Sequence, residues 1–116
     1  MDPKLKMDPK LNWPKRAEDA ANWLTETDVE IAELKVKHER DKRKAKAVWS
    51  AILLRSDGNV EERKAKATCH ADFKSAEAAE MTSLLEMEKL RNRRDTADTI
   101  IEFWRSWNKA KSDGQI

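Results

Sequence analysis

The side chains of this 116-residue chain that could do chemistry are two histidines, one cysteine and a dense set of carboxylates and cations. Cys69 and His70 are adjacent, so on a helix their side chains diverge by about 100° and cannot both face one metal ion. His38 stands alone, and no third ligand follows at metal spacing. These residues read as a small core cysteine and surface histidines. Two glycines cannot build a phosphate-cradling loop, and no serine sits in a nucleophile motif. The abundant carboxylates read as solvated helix faces with ion pairs. The expectation is a non-enzymatic protein with no catalytic residue, no metal and no cofactor.

The cations are more informative. Residues 35–46 hold Lys35, Lys37, Arg40, Lys42, Arg43, Lys44 and Lys46, and Arg55, Arg63, Lys64 and Lys66 follow. Arg91, Arg93 and Arg94 form a second cluster. Net charge is only +2, so the chain is not a generic polycation, and any nucleic-acid binding must come from a local patch. The candidate nucleic-acid contacts are Lys42, Arg43, Lys44, Lys46, Arg63, Lys64 and Lys66. The opposing account is that facing carboxylates neutralise much of this charge. Trp49 is the tryptophan near the patch, and packing is its stronger reading against base stacking.

These residues must be held by helices. Charged residues make up 40% of the chain and aromatics 6%, the composition of long helices and coiled coils. Disorder competes at a mean hydropathy of −0.92. The apolar residues are nevertheless periodic, and five tryptophans need burial. Residues 59–112 contain neither Gly nor Pro and open on Asn59-Val60-Glu61-Glu62, a helix-start signal. An apolar series then runs through Ala65, Cys69, Phe73, Ala76, Met81, Leu84, Met87, Leu90, Ala97, Ile101 and Trp104, mostly at helical spacing. One helix of about 50 residues would be roughly 75 Å long. Gly114 offers the stop.

The first half gives a second helix over about 15–55. Leu24, Thr27, Ile31, Leu34, His38, Asp41, Ala45, Val48 and Ile52 alternate at three and four residues, a heptad seam with polar interruptions at Thr27, His38 and Asp41. Thr27-Asp28-Val29-Glu30 also reads as a capping box, which would break the helix near residues 25–28. Ser56-Asp57-Gly58-Asn59 is the strong turn signal between the halves. A connection this short makes the helices antiparallel neighbours. Folded about it, residue i faces roughly residue 115 minus i. The acidic Glu18–Glu33 region then lands on Lys89, Arg91, Arg93 and Arg94, and the basic 35–46 region lands on Asp72, Glu77, Glu80, Glu86 and Glu88. Like charges select against other alignments. Trp13 falls near Trp104, with Trp107 and Trp23 close by.

The expected fold is all-α: a long, coiled-coil-like antiparallel helical hairpin. Packing is assigned to Ile31, Leu34, Val48, Ile52, Phe73, Leu84, Met87, Leu90, Ile101, Trp104 and Trp107. Trp49, Leu53, Leu54, Leu85, Ile100 and Phe103 lie off any single seam. A lone two-helix hairpin is marginal, so the hairpins are expected to self-associate into a bundle or ring, or to meet a tight partner. The alternative is a three-helix monomer with residues 15–25 as the third helix. The hairpin domain covers 15–112, between a tail of residues 1–14 and another of 113–116. Met1-Asp2-Pro3-Lys4-Leu5 recurs as Met7-Asp8-Pro9-Lys10-Leu11, which reads as a duplicated start or a cloning remnant rather than a structural repeat. No membrane span or signal-peptide core is visible, and one cysteine suits a reducing cytoplasm.

Asp57-Gly58-Asn59-Val60-Glu61-Glu62-Arg63-Lys64-Ala65-Lys66-Ala67 and Ile100-Ile101-Glu102-Phe103-Trp104-Arg105-Ser106-Trp107 resemble a group of small helical phage proteins of similar layout. More distantly, residues 25–110 resemble the UvsY-type phage recombination mediators. That resemblance implies a hairpin that assembles into rings, binds single-stranded DNA and contacts a recombinase or single-strand binding protein. Its DNA-contacting cations correspond by approximate position to Lys42, Arg43, Lys44, Arg63, Lys64 and Lys66. Two alternatives stand beside it: a phage-encoded, anti-CRISPR-like inhibitor that binds a host or defence protein, and a structural coiled-coil subunit.

Overall fold

The computed structural model describes residues 12–114, so the repeated Met-Asp-Pro-Lys-Leu segment lies outside the described residues. Three helices follow in order: α1 (Trp13–Arg55), α2 (Val60–Cys69) and α3 (Ala71–Ser112). Among them, none is long and apolar enough to cross a membrane. The fold is all-α, with α1 and α3 forming a long antiparallel pair.

α1 begins at Trp13. Asn12 caps it, its side-chain carbonyl accepting from the Lys15 amide at 3.1 Å, and Pro14 occupies the first turn, where its missing N–H costs nothing. The helix runs unbroken through residues 25–28. The capping box there goes unused, because Thr27 Oγ1 donates back to the Trp23 carbonyl at 2.9 Å. Residues 15–25 therefore belong to α1 and form no third helix.

The turn after α1 is built as its residues dictate. Gly58 has φ +110°, and a Cβ there would meet Glu62 Oε2 at 2.5 Å. Asn59 Oδ1 accepts from the Glu62 amide at 2.9 Å and caps α2.

The expected single helix over 59–112 is broken at His70, which is extended at φ −68° and ψ 137°. Thr68, Cys69 and His70 are all weak helix formers. His70 also starts α3: its ring Nδ1 accepts from the Asp72 amide at 3.0 Å, and its carbonyl accepts from the Lys74 amide at 3.0 Å. The imidazole thus does the work of an N-cap side chain.

Two compact units divide the chain: residues up to Ile31 together with those from Lys89, and Ala32–Glu88. In the first unit, Trp13, Ala17, Ala20, Trp23, Thr27 and Ile31 of α1 are buried, as are Leu90, Ala97 and Ile100 of α3. Trp13 packs on Phe103 with centroids 4.7 Å apart, and Trp104 is half-buried. In the second unit, Ala45 and Ile52 of α1, Ala67 of α2, and Ala76, Ser83 and Met87 of α3 are buried. Leu34, Val48, Phe73 and Leu84 are half-buried there.

The α1 seam follows the sequence reading at every position, since all nine residues from Leu24 to Ile52 are buried or half-buried. The α3 seam differs. It runs Ala76, Glu80, Ser83, Met87, Leu90, Arg94, Ala97, Ile100, Ile101 and Trp104; Ile100, expected off the seam, is 1% exposed. Met81 is 56% exposed, and Ala65 and Cys69 are exposed. Three polar residues hold seam positions, so an apolar count alone slips out of phase between residues 77 and 85. Cys69 is a surface thiol and not a core residue.

The facing rule also shifts. Arg94 pairs with Asp28 and Lys37 with Glu86, so these partners' numbers sum to 122 and 123 instead of 115. α2 stays close to the expected register, with Arg63 bound to the Leu53 carbonyl, while α3 begins afresh after His70. The difference is close to one heptad, so the same faces meet and the alternation of charge sign survives.

Candidate nucleic-acid interface

The basic stretch of α1 lies in the Ala32–Glu88 unit. Two of its cations are paired: Lys37 with Glu86 at 3.5 Å and Arg43 with Glu39 one turn back at 3.6 Å. Lys35, Arg40, Lys42, Lys44 and Lys46 have no ion-pair partner among the described residues. One facing carboxylate and one on α1 itself therefore leave five of the seven positive charges in this stretch without an ion-pair contact among the described residues.

The sequence-derived candidates sort into three groups. Lys42, Lys46 and Trp49 share one face of α1 at i, i+4 and i+7. Trp49 is half-buried, and its indole N–H donates to Thr68 Oγ1 on α2 at 3.2 Å. Lys64, exposed one turn before Thr68, belongs to the same side. Lys44 turns elsewhere, to the rim of an open groove of about 420 Å³ whose floor includes Val48, Ile52 and Ala76 and whose rim carries Asp41, Arg55 and Asp72. Arg63 and Lys66 serve the turn: Arg63 Nε donates to the Leu53 carbonyl at 3.1 Å and Lys66 Nζ to the Asp57 carbonyl at 2.7 Å. These two side chains tie the last turn of α1 and the turn that follows it to α2.

Arg94, from the second cluster, is not a surface cation. Its side chain is 19% exposed. It donates to the Leu24 carbonyl at 2.8 Å, to Thr27 Oγ1 at 2.6 Å and to Asp28 Oδ1 at 2.7 Å. The sequence placed it opposite acidic residues, and its seat inside the seam could have been read from the heptad count through Leu90 and Ala97.

His70 is the chemically active-looking group, and its contacts give it a structural post. Arg55 Nη2 approaches its Nε2 at 3.4 Å, while Nδ1 already accepts from the Asp72 amide. A neutral imidazole has one bare nitrogen. The shorter bond claims it at Nδ1, so Nε2 carries the proton and the Arg55 approach is no hydrogen bond. Cys69 is exposed beside it, and no group of three metal-ligating side chains occurs among the described residues. In the other unit, the hydrogen bond and charge of Asp19 raise Lys15 above its ordinary value, an exposed pair in the first turns of α1.

The arrangement can therefore offer point charges beside an indole on a rigid helix. Comparison of the chain with protein-family models, with curated proteins and with solved structures found no match.

Proposed function

We propose that this chain is a non-enzymatic helical accessory protein of phage DNA recombination, mediator-like in action, that self-associates and holds single-stranded DNA on the basic half of α1. The observation that carries this reading is the density of unpaired cations: five within residues 35–46, beside the half-buried Trp49. Single strands need a positive track and aromatic faces, not a shaped catalytic pocket. Copies joined side by side would repeat the patch and turn weak contacts into avid ones. Val36, Leu54, Met81 and Leu85 are exposed, and side-by-side packing of copies would take such apolar surface out of water. A recombinase or single-strand binding protein would be the further partner, and the host cytoplasm the setting.

The test is fluorescence anisotropy of a labelled single-stranded oligonucleotide titrated with the protein at two salt concentrations. About four phosphate contacts per copy give a log–log salt slope near −3, so binding should weaken about 50-fold between 50 and 200 mM salt. Lys42→Glu with Lys46→Glu should abolish binding while the far-ultraviolet circular dichroism stays unchanged. Retained binding in that double variant would sink the assignment of the site. The same exposed apolar residues would also serve an inhibitor of a host or defence protein, or a structural coiled-coil subunit. Either of those would show no general affinity for single strands even at low salt.

A further inference from the structure

The end of α3 carries an aromatic residue that the other described residues leave partly open. Phe103, Trp107 and Lys111 lie in one row at i, i+4 and i+8. Phe103 packs against Trp13 and also stacks on Trp107, with centroids 6.4 Å apart and planes 28° apart. The Arg16 guanidinium lies over the Trp13 ring, 5.0 Å from its centroid. Trp13 and Trp23 are buried to within 8% of complete, whereas Trp107 is 42% exposed. Its indole N–H has no acceptor among the described residues. Lys109 and Lys111, in the last turn of the helix, have no ion-pair partner among them either, and Arg105 balances Glu102 at 3.1 Å.

We infer that the open face of Trp107 is a stacking platform for an unpaired base of a single-stranded nucleic acid, with Lys111 and Lys109 meeting the adjoining phosphates. This rests on the function proposed above and adds a second contact point, distinct in residues from the Lys42–Lys46 face. Phe103 holds one side of the indole nearly parallel, so the ring is preset and a base on the other side extends an existing stack. The local charge favours this occupant. Once Arg105 and Glu102 are counted as a pair, Lys109 and Lys111 face Asp113 alone in the last turns, leaving a net positive rim. An acidic strand suits that rim, and its bases suit the ring.

The experiment compares two probes of equal charge on the full chain: a labelled fifteen-residue deoxythymidine oligonucleotide and its abasic counterpart. Wild type should prefer the thymidine strand, and Trp107→Ala should erase about tenfold of that preference while leaving abasic binding unchanged. Trp107→Phe, which keeps a ring, should retain most of it. Both substitutions fall on an exposed residue, and a circular dichroism spectrum confirms the fold. If wild type binds both probes and Trp107→Ala matches it on each, the platform is overturned while the basic-patch reading stands. If wild type binds neither probe at low salt, both readings fall together.

Discussion

Replacing Arg94 by Ala should destabilise the protein by about 2–4 kcal/mol, and the structure says where that cost resides. The guanidinium makes three hydrogen bonds, to the Leu24 carbonyl, Thr27 Oγ1 and Asp28 Oδ1. Asp28 is 70% exposed at the side chain, so the ion pair itself contributes at most about 1 kcal/mol. Thr27 is 7% exposed, and a charged donor to a buried hydroxyl is worth about 1.5–3 kcal/mol. The aliphatic stem of Arg94 fills a seam position between Leu90 and Ala97, and truncation loses that packing as well. Thr27→Val should therefore cost about 1–2 kcal/mol and Asp28→Asn under about 1 kcal/mol. Arg94→Met, which keeps the stem and removes the charge, should lose less than Arg94→Ala, because Thr27 still bonds to the Trp23 carbonyl. The assay is urea denaturation followed at 222 nm at one fixed protein concentration, since association would shift the midpoint. A double-mutant cycle then compares the Arg94–Thr27 coupling with the Arg94–Asp28 coupling. If the coupling to Asp28 is the larger, the buried-hydroxyl argument is wrong and the surface pair holds the seam.

Two further predictions concern the histidines. His70→Ala removes the ring nitrogen that caps α3 and should cost about 1 kcal/mol in the same denaturation experiment, whereas His70→Asn supplies a better cap and should match or exceed wild type; equal loss in both would show that the ring acts through packing. His38 keeps a buried Nδ1 with no partner in the seam, so His38→Leu should raise stability by about 1 kcal/mol, and a fall of that size would mean that the nitrogen has a partner in solution.

Much of this fold was legible, and the misses have identifiable causes. The seam of α1 could be read in full because its residues are mainly apolar and each polar interruption keeps heptad phase, whereas the break expected at the Thr27 capping box does not occur. Gly58 and Asn59 announced the turn because only such residues take the required backbone. The break at His70 was hidden, because histidine is not an ordinary cap and its role depends on ring nitrogen geometry that a residue string does not express. Ser83 and Arg94 escaped the α3 series for a related cause. A polar residue in a seam looks like a surface residue unless the heptad count is carried through it from the apolar positions on either side. The basic patch was legible as charge and only partly as function: Arg63 and Lys66 look like Lys64 in sequence, yet their bonds to the turn carbonyls give them structural work.

The polar seam residues explain how such a pair of helices chooses one alignment. A slide by a heptad carries every seam position onto an equivalent one, so apolar contacts discriminate poorly between the two registers. The charge pattern discriminates little better, since a run of cations facing a run of carboxylates tolerates a shift of two turns. The alignment expected from the sequence would set Arg94 opposite Ala21, which offers no hydroxyl and no carboxylate. The alignment found sets it on Thr27 and Asp28. In that register the guanidinium would forfeit all three of its hydrogen bonds, including the one to the buried Thr27 hydroxyl. Arg94 and Thr27 therefore act as the register lock of their unit, in the way that a buried asparagine fixes register in a coiled coil. For a protein whose proposed work needs only charge laid along a rigid helix, specificity is concentrated in the seam, and the unpaired cations of residues 35–46 stay available to a partner.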